Sequence, residues 1–104
     1  MNDVSLIGRL TKDPELKYTP GDDPKAVTRF TLAVNRRFNR DKADFPRIVC
    51  WNKLAEIVAE HCKKGSQVGV IGSLRTDSYE KDGKTVYVNE VEADEVEFLG
   101  KKGD

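Results

Sequence analysis

AVTRFTLAVNRRFNRDKADFPRIVCWNK, residues 26–53, sets two apolar runs on either side of a loop that is basic and yet carries aromatic rings. Read with the two-residue period of a strand, Phe30, Leu32 and Val34 alternate against Arg29, Thr31 and Ala33. Phe45, Arg47, Val49 and Trp51 likewise alternate against Pro46, Ile48, Cys50 and Asn52. The spacing predicts two strands, 26–35 and 45–52, each with one apolar face for a core. The second also places two rings and an arginine on its other face. Between the strands Arg36, Arg37, Arg40 and Lys42 surround Phe38. A solvated loop has use for cations but not for exposed rings, whereas an unpaired nucleic-acid strand offers phosphates to the one and base faces to the other. The competing reading makes Phe45 and Trp51 core residues, Arg47 an edge residue lying along them, and Phe38 a lid folded back on the barrel.

The rest of the chain limits the choices. At 104 residues it holds one domain with one core, and with 35% charged against 38% hydrophobic residues that core is expected to be thin. No apolar run approaches the roughly 20 residues of a membrane span, and the first residues lack the pattern of a secretory signal, which reads as cytoplasmic. The net charge of zero conceals a division. Residues 1–75 carry 14 Lys and Arg against 9 Asp and Glu, whereas residues 76–104 carry 4 against 9. A basic body can bind phosphates through its local field despite an acidic end section. Cys50, Cys62 and His61 do not make a four-ligand zinc site, so reduced buried thiols and no metal or other cofactor are expected.

Outside 26–53, residues 3–12 read as a strand in which Gly8 suggests a bulge or bend, followed by a short extended piece at 15–19 and a turn at 20–24. Leu54, Ile57, Val58, His61 and Cys62 recur at helical spacing, with Asn52 suited to the N-cap and Gly65 to the residue past the C-terminus. Val68, Val70 and Leu74 mark a fourth strand whose opposite face carries Ile71 and Arg75 and continues to Tyr79. Asp82-Gly83 predicts a tight hairpin turn. The last strand, 85–99, changes phase between Val88 and Val91 and again before Val96, as bulges or strong curvature would require. Five strands with one helix between the third and fourth predict an all-β fold, the Greek-key OB barrel, over residues 1–100, with 101–104 a short polar end.

GRLTKDPELKYTP, FTLAVNRRF, VCWNKLAE, KKGSQVGVIGSLRTDSY and NEVEADEVEFLG, in this order over about residues 3–99, together resemble the bacterial and phage single-stranded-DNA-binding proteins. The resemblance implies a non-enzymatic OB-fold protein, in a homotetramer, that binds single-stranded DNA during replication, recombination and repair. It implies base stacking at Phe38, Phe45, Trp51 and Tyr79, and phosphate contacts are expected from Arg36, Arg37, Arg40, Lys42, Arg47 and Arg75. Pro46 departs from the pattern, since a proline inside a strand removes a ladder donor and bears on the subunit contacts of this segment. The chain closes at Asp104, short of the linker and acidic tail by which such proteins recruit replication and repair enzymes. Those partners are expected only where a tail follows.

Two other functions share parts of this pattern. A protein-interaction OB subunit of the primosome type needs no ring at all four stacking positions, and single-stranded RNA remains a possible ligand because stacking does not read the 2′-hydroxyl. A nuclease would need the acids of EVEADEVE, 90–97, as metal ligands, but alternation along a strand scatters them to both faces.

Overall fold

The alternation in 26–35 forms an unbroken strand, and the chain closes around it. The structure is a computed structural model and describes residues 1–100. In chain order its elements are β1 (Val4–Leu10), β2 (Glu15–Tyr18), β3 (Ala26–Asn35), β4 (Ala43–Asp44), β5 (Arg47–Trp51), α1 (Asn52–His61), β6 (Gln67–Lys81) and β7 (Lys84–Phe98). The sheet runs β1-β6-β7-β5-β3-β2, and β1 returns to pair with β3 through Arg9↔Ala33 and Leu10↔Leu32. That second pairing closes β1, β3, β5, β7 and β6 into a barrel. Its strand pairs are antiparallel except β5 with β7, which run parallel. This is the expected five-stranded OB barrel with the helix between its third and fourth strands; β2 and β4 are short additions along β3.

The strand expected at 45–52 is interrupted. Ala43 and Asp44 pair with β3 as a separate piece, the chain leaves the ladder at Phe45-Pro46, and pairing resumes at Arg47. Proline explains the gap, because it has no N–H to donate; its carbonyl still accepts from the Leu32 amide at 3.1 Å.

Inside the barrel Leu10, Phe30, Leu32, Ile48, Val68 and Val70 are buried to within a few per cent. Each such side chain contributes about 1.5–3 kcal/mol by leaving water. Helix α1 packs against β3 and β5 and covers one end of this core with Ala55 and Val58, while Cys62 follows on the same arc. The buried arc therefore passes through Ala55, not through His61 as the helical spacing suggested. His61 is exposed and its ring leans on Phe98, with centroids 5.8 Å apart. Thr28, the one buried polar side chain among the described residues, donates from Oγ1 to the Ala55 carbonyl at 2.8 Å and ties β3 to the helix.

The helix begins differently from expectation. Trp51 is its N-cap, in extended conformation and without a side-chain cap bond, and Asn52 takes a left-handed φ of 58°. Asparagine tolerates that region better than most residues. The strand thus turns into the helix with no linker. At the other end Cys62 donates its amide to the Val58 carbonyl, so Gly65 lies beyond the helix, in a turn with φ 90°.

Gly8 forms no bulge. β1 is continuous there, and a Cβ on Gly8 would stand 2.4 Å from the Ala33 carbonyl oxygen, so glycine permits β1 and β3 to approach where the barrel closes. The irregularity lies between Ile71 and Gly72, opposite Ala93 and Glu95, and leaves Asp94 unpaired. This bulge accounts for the second phase change of the last strand, bringing both Ala93 and Val96 into the core. The first change is no bulge. Beyond Leu74, itself 46% exposed, β6 and β7 leave the barrel as a hairpin, and Val86 and Val88 stay only half-buried on its outer side.

Candidate nucleic-acid interface

Strand pairing carries one set of side chains across neighbouring strands onto a single face of the barrel. Arg29 stands opposite Val49, Thr31 opposite Arg47, and Val27 opposite Trp51. Val49 then stands beside Glu92 of β7, whose same-side neighbour Glu90 is opposite Arg75 of β6. Asp77 and Tyr79 continue that side along the hairpin, Tyr79 opposite Val86. Trp51, Arg75, Arg29 and Glu90 line one depression, with Val49 in its floor at 2% exposure. A second adjoins it and is lined by Arg29, Arg47, Lys12 and Thr31.

The four expected stacking residues are placed unequally. Phe38 is 94% exposed on the loop between β3 and β4, and Phe45 is 61% exposed at the gap before β5. Tyr79 is 52% exposed on the hairpin. Trp51 is half-buried, neither a core residue nor a free one, and offers part of its indole to the depression it shares with Arg75. None of these rings touches another; among the described residues the sole aromatic contact is His61 with Phe98. Separate rings suit bases that stack singly along a strand, and a lid closing on the core would not leave Phe38 so bare.

The expected phosphate contacts Arg36, Arg37, Arg40, Lys42, Arg47 and Arg75 are all exposed. Arg36 has a second engagement. It donates from Nε and Nη2 to Asp44 Oδ1 at 3.1 and 3.0 Å, while its amide donates to the Lys42 carbonyl at 3.2 Å, so it holds the base of the loop together. Sequence reading missed Arg29, which parity did place opposite the core face, and its partner Glu90 at 3.4 Å. It also missed Tyr87, 77% exposed but on the other side of the hairpin from Tyr79, opposite Ser78.

No group of three or more His, Cys, Asp or Glu among the described residues is arranged to hold a metal ion. Burial pushes the Cys50 thiol up to about 12, with a smaller contribution from Cys62, and burial raises Cys62 as well. Both are free cysteines. No helix among the described residues is long and apolar enough to cross a membrane.

A closed five-stranded barrel with separate rings and cations on the face of its second and third strands defines an OB-fold module of the oligonucleotide-binding type. Comparison with known proteins narrows the class. Residues 1–99 match the Single-strand binding protein family, and the chain belongs to that family. It is 57% identical over 103 residues to the single-stranded DNA-binding protein of Clostridium tetani, covering 95% of this chain and 70% of that protein. It is 51% identical over 108 residues to the protein of that name from Oceanobacillus iheyensis, covering 99% and 66%. Among solved structures, a deletion mutant of the single-stranded DNA binding protein from Thermus aquaticus superposes with a TM-score of 0.79 at 36% identity. That match covers 97% of this chain and 42% of the other. The chain thus spans about two thirds of these relatives and under half of the Thermus chain. Proteins of this family are not enzymes.

Proposed function

We propose that this protein binds single-stranded DNA with little regard to sequence, by stacking bases on Phe38, Phe45, Trp51 and Tyr79 and by meeting phosphates with Arg37, Arg40, Lys42, Arg47 and Arg75. The observation that carries this reading is that half-buried Trp51 and Arg75 line one open depression on the face that also bears Arg47 and Tyr79. A ring held on one side and open on the other presents a fixed surface to a base. Arg36 belongs to the loop that presents Phe38 and contributes to the field more than to direct contacts. Homologues named single-stranded DNA-binding proteins support the choice of DNA. The work such binding serves is the protection of exposed strands in replication, recombination and repair, in the cytoplasm of a bacterial cell.

Assembly into a homotetramer belongs to the same proposal. On the side of β1 away from β6, Val4 to Gly8 have no strand partner among the described residues, and Ile7 and Ile71 are 60% and 47% exposed beside Leu99. An open strand edge next to an apolar face favours a second copy.

Trp51→Ala tests the DNA reading. Stacking contributes ~1–3 kcal/mol per base in single-strand-binding proteins, the systems from which that figure comes. The variant is expected to lose about that much affinity for dT oligomers while remaining folded, and DNA is expected to quench the indole fluorescence of the unsubstituted protein. A variant that melts far lower but binds as before when folded would assign Trp51 to the core and end the proposal for this face. Titration with rU oligomers in parallel separates DNA from RNA as the preferred ligand.

A further inference from the structure

Arg29 occupies a position that the stacking and phosphate assignments do not use. It borders three adjoining depressions: one shared with Trp51 and Arg75, one with Lys12 and Arg47, and one with Lys17 and Arg47. Among the described residues no other cation on this face lines both the tryptophan end and the Arg47 end.

Its surroundings make that position consequential. The depression around Trp51 contains Asp77, Glu90 and Glu92 against Arg29 and Arg75, so acids outnumber cations where a base would stack. A phosphate next to a base stacked on Trp51 would be repelled unless a cation met it directly. Arg29 has the means. Its Nε donates to Glu90 Oε2 at 3.4 Å, and among the described residues its two Nη groups donate to nothing. A guanidinium has five N–H donors, so four remain. The Arg29 side chain is 41% exposed while that of Glu90 is only 18% exposed, so the buried partner fixes the exposed one. A carboxylate on Nε orients the plane of the guanidinium and leaves its terminal edge open, the edge that matches two phosphate oxygens.

We propose that Arg29 is a phosphate-binding residue at the centre of the interface, positioned by Glu90, which carries the backbone of the bound strand from the Trp51 depression to the Arg47 depression. The proposal rests on the single-stranded-DNA reading of this face. Glu90 acts as a positioning residue: it lends Arg29 direction and, being an acid among phosphates, opposes binding in its own right.

The test is titration of the full chain with dT oligomers across a range of salt concentrations, with thermal melts of each variant. Arg29→Gln is expected to lower affinity about tenfold, and to reduce the slope of log affinity against log salt by about 0.7, the value for one phosphate on a single strand. Arg29→Lys is expected to keep the slope and recover only part of the affinity, since an ammonium cannot grip two oxygens in one plane. Glu90→Gln is expected to raise affinity in the Arg29→Gln background, where it only removes a repelling charge, and to lose that gain in the unsubstituted chain, where it also releases Arg29. An unchanged salt slope in a folded Arg29→Gln protein overturns the phosphate contact. Glu90→Gln acting by the same factor in both backgrounds overturns the positioning role. If the unsubstituted protein neither binds dT oligomers nor shows quenching of Trp51, the DNA reading and this inference fall together, whereas normal binding with an indifferent Arg29 removes this inference alone.

Discussion

Asn52 shows what a single residue does for the interface. With its φ at 58°, it lets the last residue of β5 be the residue that caps α1, so Trp51 is held by the sheet on one side and the helix on the other. A β-branched residue at that angle clashes with its own backbone, which costs roughly 1–2 kcal/mol. Asn52→Val is therefore expected to destabilise by about that amount in a denaturant melt and Asn52→Gly far less; equal melts would show that the angle is not a constraint. The thiols supply a second test. Cys50 has its pKa raised to about 12 by burial, so the folded state retains a proton that the unfolded chain releases near the ordinary thiol value of 9.0. Stability is then unaffected by Cys50 below about pH 9 and declines as pH rises from there toward 12, because the unfolded state binds fewer protons across that window. The matching measurement compares the alkaline arm of stability in the unsubstituted protein and in Cys50→Ala, with Cys50→Ala the flatter. Parity put both Trp51 and Arg29 opposite residue runs that had to be core, but only Trp51 stood out as a site residue, because it is a ring among cations. What parity could not supply was the partner of Arg29, because Glu90 is 61 residues away and reaches it only through the closure of β5 on β7.

At the scale of elements, strands with a strict two-residue period were legible and the places where two elements meet were not. The 26–35 strand is found as read, because every second residue had a buried neighbour to face. The 45–52 strand is shortened by Pro46, and the helix packs through Ala55, a small residue whose burial depends on how closely α1 lies on β3. Gly8 is the sharpest case. Its conformation is ordinary, and the reason for glycine is the Ala33 carbonyl across the seam. Gly8→Ala must push β1 from β3 and is expected to cost ~1–3 kcal/mol, as overpacking does in a filled core. Chemical denaturation of the variant measures this, and a loss well under ~1 kcal/mol would show that the seam is loose.

For the molecule as a whole, the face that bears Trp51 and the open edge of β1 make two separate demands on the surface. The edge, with Ile7, Ile71 and Leu99, leads to the expectation of a homotetramer by light scattering at micromolar concentration. A charged substitution, Ile7→Glu, is expected to shift the mass downward; a monomer in the unsubstituted protein would refute the assembly. Pro46 lies at the gap between β4 and β5, where its carbonyl is engaged with the Leu32 amide, so any contact this segment makes with a second copy must do without a donor at that position. The hairpin of β6 and β7 has a further consequence. Past Leu74 it carries Tyr79 but no core residue, so its length is free of the barrel's packing. Removing two facing residues from each strand between Arg75 and Tyr79 would draw the tyrosine inward by about 7 Å and keep it on the same side; removing one from each would turn it to the other side. The span between the ring on the hairpin and the indole at the barrel is thus counted out in pairs of residues and can be lengthened or shortened without disturbing the core.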